Sequence, residues 1–271
     1  MVAGDPITKI KKMKSRKFLF VFVAALSIGS LARAQEFKVQ ADNTKEARLT
    51  LEGFYESLPI EGYSGTEVII STNSHDFEPN ERSRGLKPIY AAGVDNTGIG
   101  VAMEKSGNHI TLRCLLPITK GGAEYKIRVP ENMALDITRD CARGGETTIS
   151  NIKNEIEFKG CHDISLKNVT GPLVISTISG SVNVTFTEIS KDKSISIASV
   201  SGEVDVTLPA KAGFNLEMGT VSGNMYSDFD FPASNNDMRR IGGSNIRAQL
   251  NGGGVNLKLV SVSGNIYLRK S

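Results

Sequence analysis

The sequence predicts an all-β protein, a single-stranded β-solenoid (β-helix) with about 21 residues per coil, capped by an irregular N-terminal β region. Three observations predict this fold class. A glycine-containing tripeptide recurs at a nearly constant spacing, the straight runs between its copies alternate apolar and polar residues, and no segment shows the periodicity of an amphipathic helix. A sandwich of hairpins whose turns repeat by chance is the alternative fold.

The recurring tripeptide is an apolar residue followed by Ser and Gly, and a degenerate copy is Ile241-Gly242-Gly243. A second series of turn-forming residues lies about half a period away: Gly171, Lys191-Asp192, Ala212-Gly213, Ser234-Asn235 and Gly252-Gly253-Gly254. A tight bend often requires a positive φ, which glycine adopts without a steric penalty. We therefore expect structural turns at Gly171 and at the evenly spaced glycines Gly180, Gly202, Gly223, Gly243 and Gly264.

The straight runs have the two-residue period of a half-buried strand. After Gly202, for example, Val204, Val206 and Leu208 share one face, and acidic or hydroxyl residues occupy the other. The apolar register shifts by one after Gly243, which we interpret as a bulge or corner shift. One coil cannot bury its apolar face alone, so we expect successive coils to stack ~4.8 Å apart with inward side chains in columns.

We expect the chain to divide into a signal peptide at residues 1–34, an N-terminal β region at residues 35–140 that forms either irregular coils or a cap, and the β-solenoid repeat domain at residues 141–271. In the N-terminal β region, residues 72–97 lack a clear alternation and are interpreted as a long surface loop. Six stretches of that region have a strand-like pattern: Ala47–Leu51, Thr66–Ile70, Ile99–Met103, His109–Leu115, Tyr125–Val129 and Leu135–Thr138.

The signal peptide is predicted from three adjoining features. A basic stretch, Lys9–Lys17, precedes the apolar run Phe18–Leu31, and Ala32-Arg33-Ala34 matches a small-x-small cleavage pattern, so Gln35 is the expected mature N-terminus. This leader holds seven of the 32 basic and one of the 29 acidic side chains, which leaves 25 basic and 28 acidic ones in the remainder. The basicity belongs to the leader and does not indicate nucleic-acid binding.

Three cysteines in an exported protein raise the question of disulfide pairing. Cys141 and Cys161 are separated by about one coil, so stacking would bring their Cα atoms within the range of a disulfide bond. A Cys141–Cys161 bond is therefore a prediction, and two buried thiols in one column are the alternative. We expect Cys114, among leucines, to be buried. Because adjacent strand residues face opposite ways, Cys161 and His162 are not a nucleophile and its base.

Four acidic residues, Glu203, Asp205, Asp228 and Asp230, are candidates for neighbouring positions on one outward face. A solvated charged face is the favoured interpretation, and a Ca²⁺ site is the alternative. The three histidines are scattered, and no Cys or His spacing is typical of zinc. We expect no catalytic residue, metal or cofactor.

The segment Y-K-I-R-V-P-E-N-M-A-L-D-I (Tyr125–Ile137), followed by a ladder of V-S-G-x-V-x-V units, resembles a bacterial family of β-strand repeats named "putative adhesin". Members of that family are exported, and their function is largely undefined. The resemblance covers residues 120–271 well and residues 36–119 loosely. It implies a β-helical domain in the cell envelope and carries no catalytic residues over to this chain.

Together these features predict an exported, non-enzymatic, adhesin-like β-solenoid that acts as an interaction scaffold in the periplasm or at the cell surface. The expected partner is a protein or glycan of the cell envelope, with no nucleic acid and no integral membrane segment in the mature chain. Two alternatives stay open. One is a β-helix carbohydrate-active enzyme, which needs carboxylates, a basic residue and aromatic rings on one face, and the other is a structural periplasmic protein. The absence of Trp argues mildly against a sugar-binding groove.

Overall fold

Two ten-stranded sheets make up most of the computed structural model, which describes residues 35–73, 81–117, 123–142, 144–190, 193–231 and 244–271. Within these residues the helical content is a 3₁₀ turn at Glu81–Ser83. The signal-peptide prediction and Gly243 lie outside the described residues. The described residues from 35 onward form one compact unit, so the sheets continue across the expected boundary at residue 140.

The strands are numbered in chain order and alternate between the sheets along most of the chain. The first sheet contains β1 Gln35–Gln40, β3 Leu58–Tyr63, β4 Glu67–Thr72, β9 Tyr125–Pro130, β11 Thr147–Ser150, β13 Ile164–Val169, β15 Val182–Phe186, β17 Val204–Leu208, β19 Met225–Ser227 and β22 Ile266–Lys270. The second contains β2 Arg48–Glu52, β7 Val101–Ser106, β8 His109–Cys114, β10 Ala134–Thr138, β12 Ile156–Gly160, β14 Leu173–Ser179, β16 Ile195–Ser201, β18 Phe214–Ser222, β20 Ser244–Leu250 and β21 Val255–Ser263. A small hairpin pairs β5 Ile89–Tyr90 with β6 Gly93–Val94.

The central strands pair in parallel, and each coil contributes one strand to each sheet. Parallel pairing of this kind cannot come from hairpins, so the sandwich of hairpins is excluded for these coils. Inward side chains at paired positions form columns, such as the fully buried Val182, Val204 and Ile266. At roughly 1.5–3 kcal/mol per buried aliphatic side chain, these columns are the main stabilising term of each coil.

The coil length varies more than the glycine spacing predicts. Ile156 pairs with Leu173, and Leu173 pairs in turn with Ile195, so the first of these two coils is clearly shorter than the second. The strands of these two coils differ little in length, so the difference in coil length lies mainly in the corners. The constant period predicted from the glycines therefore describes only part of the solenoid.

The last two coils stack in the reverse of their order in the sequence. In the first sheet β22 lies between β17 and β19, and in the second sheet β21 lies between β16 and β18. The coil of β21 and β22 is thus inserted between the two coils that precede it. The prediction that successive coils stack is wrong at this end, because several coils present the same inward apolar pattern and can stack on one another.

The N-terminal coils are interchanged in the same way. The coil of β2 and β3 lies between the coil of β8 and β9 and the coil of β10 and β11. All six strand-like stretches of this region are confirmed as strands, although β1, β3, β5 and β6 are missing from that set. The N-terminal region thus consists largely of parallel coils. The part that corresponds to the expected irregular cap comprises the antiparallel end strands β1, β4 and β7 and the loop before β7.

Antiparallel strands complete the sheets at both ends. β1 and β4 continue the first sheet beyond β9, and β7 continues the second sheet beyond β8. At the other end β20 pairs antiparallel with β18. The bulge or corner shift expected after Gly243 is therefore wrong: residues 244–250 form an end strand with one partner, and its side chains are less buried than those of a coil.

Candidate functional site

The corner tripeptides invert the usual distribution of polar and apolar side chains. The residue before each tripeptide continues the inward alternation of its strand, and it is a hydroxyl residue, buried in every described copy: Thr177, Ser199, Thr220 and Ser261. Ser199 Oγ donates to the Gly180 carbonyl at 3.3 Å, and Ser261 Oγ donates to the Gly202 carbonyl at 3.2 Å. These hydrogen bonds satisfy buried hydroxyls and join the corners of adjacent coils.

Because the hydroxyl side chain faces inward, the apolar residue that follows it faces outward. Ile178, Val200, Val262 and Val221 are 57%, 48%, 43% and 60% exposed. Strand register places them side by side on four adjacent coils, in that order. We name these four residues the corner ridge. The tripeptide was expected to be a turn, and its outward apolar position was not recognised as a surface.

The corner glycines stack along the solenoid in the order Gly180, Gly202, Gly264 and Gly223. A Cβ atom on Gly202 would lie 2.1 Å from the Gly180 carbonyl oxygen, and one on Gly223 would lie 2.1 Å from the Gly264 carbonyl oxygen. Only Gly180 and Gly202 of the four have a positive φ, 149° and 157°. Close backbone approach, more than φ, therefore requires glycine at this corner.

The opposite corner places Gly171 against the previous coil, where a Cβ atom would lie 2.3 Å from the Asn154 carbonyl oxygen. The turn prediction at Gly171 thus has the same steric basis as at the tripeptide corner. Gly252, Gly253 and Gly254 all have positive φ and form the turn before β21.

Cys141 and Cys161 occupy adjacent coils near the start of the corner ridge. Their Cα atoms are 5.1 Å apart, and their Sγ atoms are in bonding contact. Cys114 is a buried free thiol, and burial raises its pKa. His162 Nε2 is buried without a hydrogen-bond partner among the described residues, and a Cβ atom on Gly144 would overlap the His162 ring. Both described cysteines of this corner are in contact with each other.

A buried cation, Arg139, lies at the corner between β10 and β11. Its guanidinium donates to Thr147 Oγ1 at 3.0 Å and to the Glu56 carbonyl at 2.7 Å, with longer bonds to two further carbonyls. Burial lowers the pKa of Arg139 to about 10, and the Glu56 charge partly opposes that shift. Arg139 thus holds the corner together through backbone oxygens, and its sequence context gave no sign of this role.

A cluster of aromatic and charged side chains covers the outward face of the first sheet at its C-terminal end. The Tyr226 and Tyr267 rings are stacked with centroids 5.3 Å apart and an interplanar angle of 12°. The Arg269 guanidinium lies 5.2 Å from the Tyr267 centroid, and its Nε donates to both Asp205 carboxylate oxygens, at 2.8 and 3.0 Å. Tyr267 Oη donates to Glu203 at 3.2 Å. We name these five residues the tyrosine platform.

The four acidic residues suggested as a Ca²⁺ site are separated by the inserted coil, and three of them contact its basic residues. Asp205 pairs with Arg269, and Asp230 pairs with Lys270 at 3.1 Å. Asp228 accepts a hydrogen bond from the Lys270 backbone at 2.8 Å. In the part of the chain that the structure describes, no group of three metal-ligating side chains is present. The described residues thus favour a charged face over a cation site.

The described residues include no helix that is long and apolar enough to cross a membrane. The model of the Toastrack family, DUF4097, matches residues 146–269. A search of curated proteins found no match.

Solved structures that resemble the chain include the following three. One is "a putative cell adhesion protein" from Clostridium sporogenes, 12% identical with a TM-score of 0.41, over 88% of this chain and 100% of that one. A "putative adhesin" from Bacteroides fragilis is 11% identical with a TM-score of 0.38, over 88% and 97% of the two chains. A "putative lipid binding protein" from Parabacteroides distasonis is 11% identical with a TM-score of 0.24, over 88% and 96%.

The resemblance proposed from the V-S-G ladder is confirmed by the family match, which spans the coils that carry the corner tripeptides. Residues 146–269 are similar to the Toastrack (DUF4097) family, a bacterial family of unknown function.

Proposed function

We propose that this protein is an exported, non-enzymatic scaffold that binds a protein of the cell envelope. The observation that carries the proposal is the corner ridge. Four β-branched apolar side chains, each between 43% and 60% exposed, stand in register on four adjacent coils. Scattered exposed apolar residues are ordinary on a protein surface, but an aligned and contiguous row is typical of an interaction site.

The geometry of the corner ridge suits a partner made of β-strands. Adjacent coils are ~4.8 Å apart, which is the strand spacing of any β-sheet, so apolar side chains of a partner sheet can fit between those of the ridge. The ridge is held by the glycine stack and by the buried hydroxyl bonds beneath it. A rigid surface loses little conformational entropy when a partner binds. The exposed Ser179, Ser201, Ser222 and Ser263 flank the ridge and supply hydrogen-bonding groups.

Contacts that occupy two reactive side chains, a cysteine and a carboxylate, support the proposal that the protein is not an enzyme. Cys161 contacts Cys141, and Asp205 is held by Arg269. A carbohydrate-active enzyme remains the alternative, because the tyrosine platform combines carboxylates, a basic residue and aromatic rings on one face. Release of reducing sugar from cell-wall polysaccharides by the mature protein would establish the enzyme and contradict the scaffold.

Export is supported by the leader pattern at residues 1–34 and by the cysteine pair on adjacent coils, since disulfides persist in oxidising compartments. Protease treatment of intact cells separates two locations. Digestion of the protein on intact cells indicates surface display, whereas protection until the outer barrier is opened indicates a periplasmic protein. Recovery with the cytoplasmic fraction, with the leader retained, would contradict export.

Binding of the mature protein to isolated envelopes tests the corner ridge. The variant carries Val200→Thr and Val262→Thr, which keep the β-branched shape and make the ridge polar. Val174→Thr is the matched control, because Val174 is 39% exposed on the same sheet but outside the ridge. We expect the double variant to lose at least roughly tenfold in affinity and the control to bind like the wild type. Equal binding by all three proteins would contradict the proposal.

A further inference from the structure

Tyr226 occupies the outermost described strand of the first sheet. Asp205 pairs with Tyr267 and Tyr267 with Tyr226, so the three positions form one row across three coils. No described strand follows β19 in that sheet. Tyr226 is 50% exposed, and its ring is stacked on Tyr267 on one side only among the described residues. An aromatic ring is thereby fixed in orientation at the surface.

Polar groups lie at fixed positions around Tyr267, the ring on which Tyr226 is stacked. Asn265 Nδ2 lies 3.2 Å from Glu203 Oε1 and 3.1 Å from Tyr267 Oη. The Glu203 carboxylate also accepts a hydrogen bond from Tyr267, and the Asp205 carboxylate accepts one from Arg269. A carboxylate has about four acceptor positions and a guanidinium has five donors. The hydrogen bonds within the platform use only some of them, so the carboxylates and the Arg269 guanidinium can still bond to a ligand. The side chain of Arg269 is 52% exposed. Unused donors and acceptors therefore lie around Tyr267, one coil away from the exposed ring face of Tyr226.

An exposed aromatic ring together with carboxylates and a guanidinium favours some classes of ligand over others. The carboxylates of Glu203 and Asp205 disfavour a phosphate-rich ligand such as nucleic acid, and Arg269 disfavours a cation. A sugar ring offers an apolar C–H face that packs on an aromatic ring, and hydroxyls that donate to carboxylates and accept from a guanidinium or an amide. Few precisely oriented polar groups around an apolar surface are typical of small-molecule recognition.

We infer that the tyrosine platform binds a carbohydrate chain, with one sugar ring stacked on Tyr226 and hydroxyls of the following sugars bonded to Glu203, Asn265 and Arg269 around Tyr267. This inference rests on the proposed scaffold function and adds a second surface to it. The corner ridge lies on the second sheet and the platform on the first, so the two surfaces can be altered independently.

The experiment is affinity electrophoresis of the mature protein in gels that contain hydroxyethyl cellulose, dextran or soluble peptidoglycan glycan strands. Tyr226→Ala removes the ring, Tyr226→Phe keeps it, and Thr148→Ala is a control on the same sheet, at an exposed position of β11 far from the platform. We expect retardation by at least one polysaccharide, a loss of roughly tenfold in affinity for Tyr226→Ala, and affinities within roughly twofold of wild type for the other two.

Three outcomes overturn the inference: no retardation by any of the three polysaccharides, unchanged binding by Tyr226→Ala, or equal loss in Tyr226→Phe. A midpoint of thermal unfolding equal to that of the wild type is the control that each variant keeps its fold. The ridge variant with Val200→Thr and Val262→Thr should still be retarded. Envelope binding that survives periodate oxidation of the sugars, together with no retardation, would overturn the platform and leave the scaffold proposal standing.

Discussion

Gly264 approaches the backbone of Gly202 so closely that a Cβ atom on Gly264 would lie 2.1 Å from the Gly202 carbonyl oxygen. The two glycines are separated by a full intervening coil in the sequence, yet their corners are in direct contact. This contact fixes the C-terminal coil beside β16 and β17. The same insertion completes the corner ridge through Val262 and the tyrosine platform through Tyr267.

Replacing Gly264 by Ala should therefore destabilise the protein, because the new methyl group overlaps a backbone oxygen that cannot move without separating two coils. We expect a loss of about 2–4 kcal/mol in the free energy of unfolding. Gly219→Ala is the matched control, since its Cβ atom would lie 3.4 Å from the nearest atom, the Ser244 carbonyl oxygen. Urea unfolding of both variants measures the difference. Similar midpoints for the two would contradict the close approach at the corner.

The cysteine pair is tested by counting thiols. Alkylation of the unfolded, unreduced mature protein should modify Cys114 alone, and alkylation after reduction should modify all three cysteines. Intact mass distinguishes one added group from three. Joint replacement of Cys141 and Cys161 by Ser should cost about 2–4 kcal/mol of stability. Three modified cysteines without reduction would contradict the bond.

Arg139 should be far more important for stability than an exposed arginine. Arg139→Met removes the charged donor to Thr147 Oγ1 and to the Glu56 carbonyl, so both oxygens lose a strong hydrogen bond. We expect a loss of about 3 kcal/mol. Arg128, whose guanidinium lies over the Tyr63 ring at the surface, gives the control Arg128→Met, with a loss of about 1 kcal/mol or less. Equal losses by chemical unfolding would contradict the structural role of Arg139.

Alkaline conditions should destabilise the protein through Tyr125. Burial, with a smaller contribution from the Cys114 thiolate, raises the pKa of Tyr125 above its usual value of 10.0, and Tyr125 Oη donates to the Ile99 carbonyl at 2.6 Å. The folded tyrosine stays protonated while the unfolded one ionises, so this contribution is complete below pH 10 and is lost as the pH rises above it.

The measurement is the urea midpoint of wild type and Tyr125→Phe between pH 8 and about pH 11. Phe cannot ionise, so the variant should lose less stability above pH 10, although it is less stable at pH 8 by about 1 kcal/mol for the missing hydrogen bond. The pKa values of Tyr55, Tyr90 and Cys114 are also raised, so part of the pH dependence should remain. An identical slope for both proteins would rule out the Tyr125 contribution.

Local spacing was sufficient to predict most of the strands, although β1 and β3 were missed. It was not sufficient for the order of the coils. Val204, Val206 and Leu208 present the same inward pattern as Ile266 and Leu268, so alternation alone does not say which coil stacks on which. With the coils interchanged, the end strand β20 pairs with the other edge of β18.

The two surfaces were hidden from the sequence for different reasons. The corner ridge follows from strand phase: counting in twos from Leu173 and Ile175 puts Thr177 inside and Ile178 outside, a signal that was present but overlooked. The tyrosine platform could not be found this way. Tyr226 and Tyr267 lie in separate coils, and only the inserted position of β22 brings their rings together.

Both surfaces require the C-terminal coil to lie between its two predecessors, and cysteine cross-linking measures that position directly. Ser263 pairs with Ser201 on one side and with Ser222 on the other. In a Cys114→Ala background, Ser201→Cys with Ser263→Cys should oxidise to a disulfide, because adjacent strands lie ~4.8 Å apart. Ser201→Cys with Ser222→Cys should stay reduced across two strand spacings. Cross-linking of the second pair without the first would contradict the account.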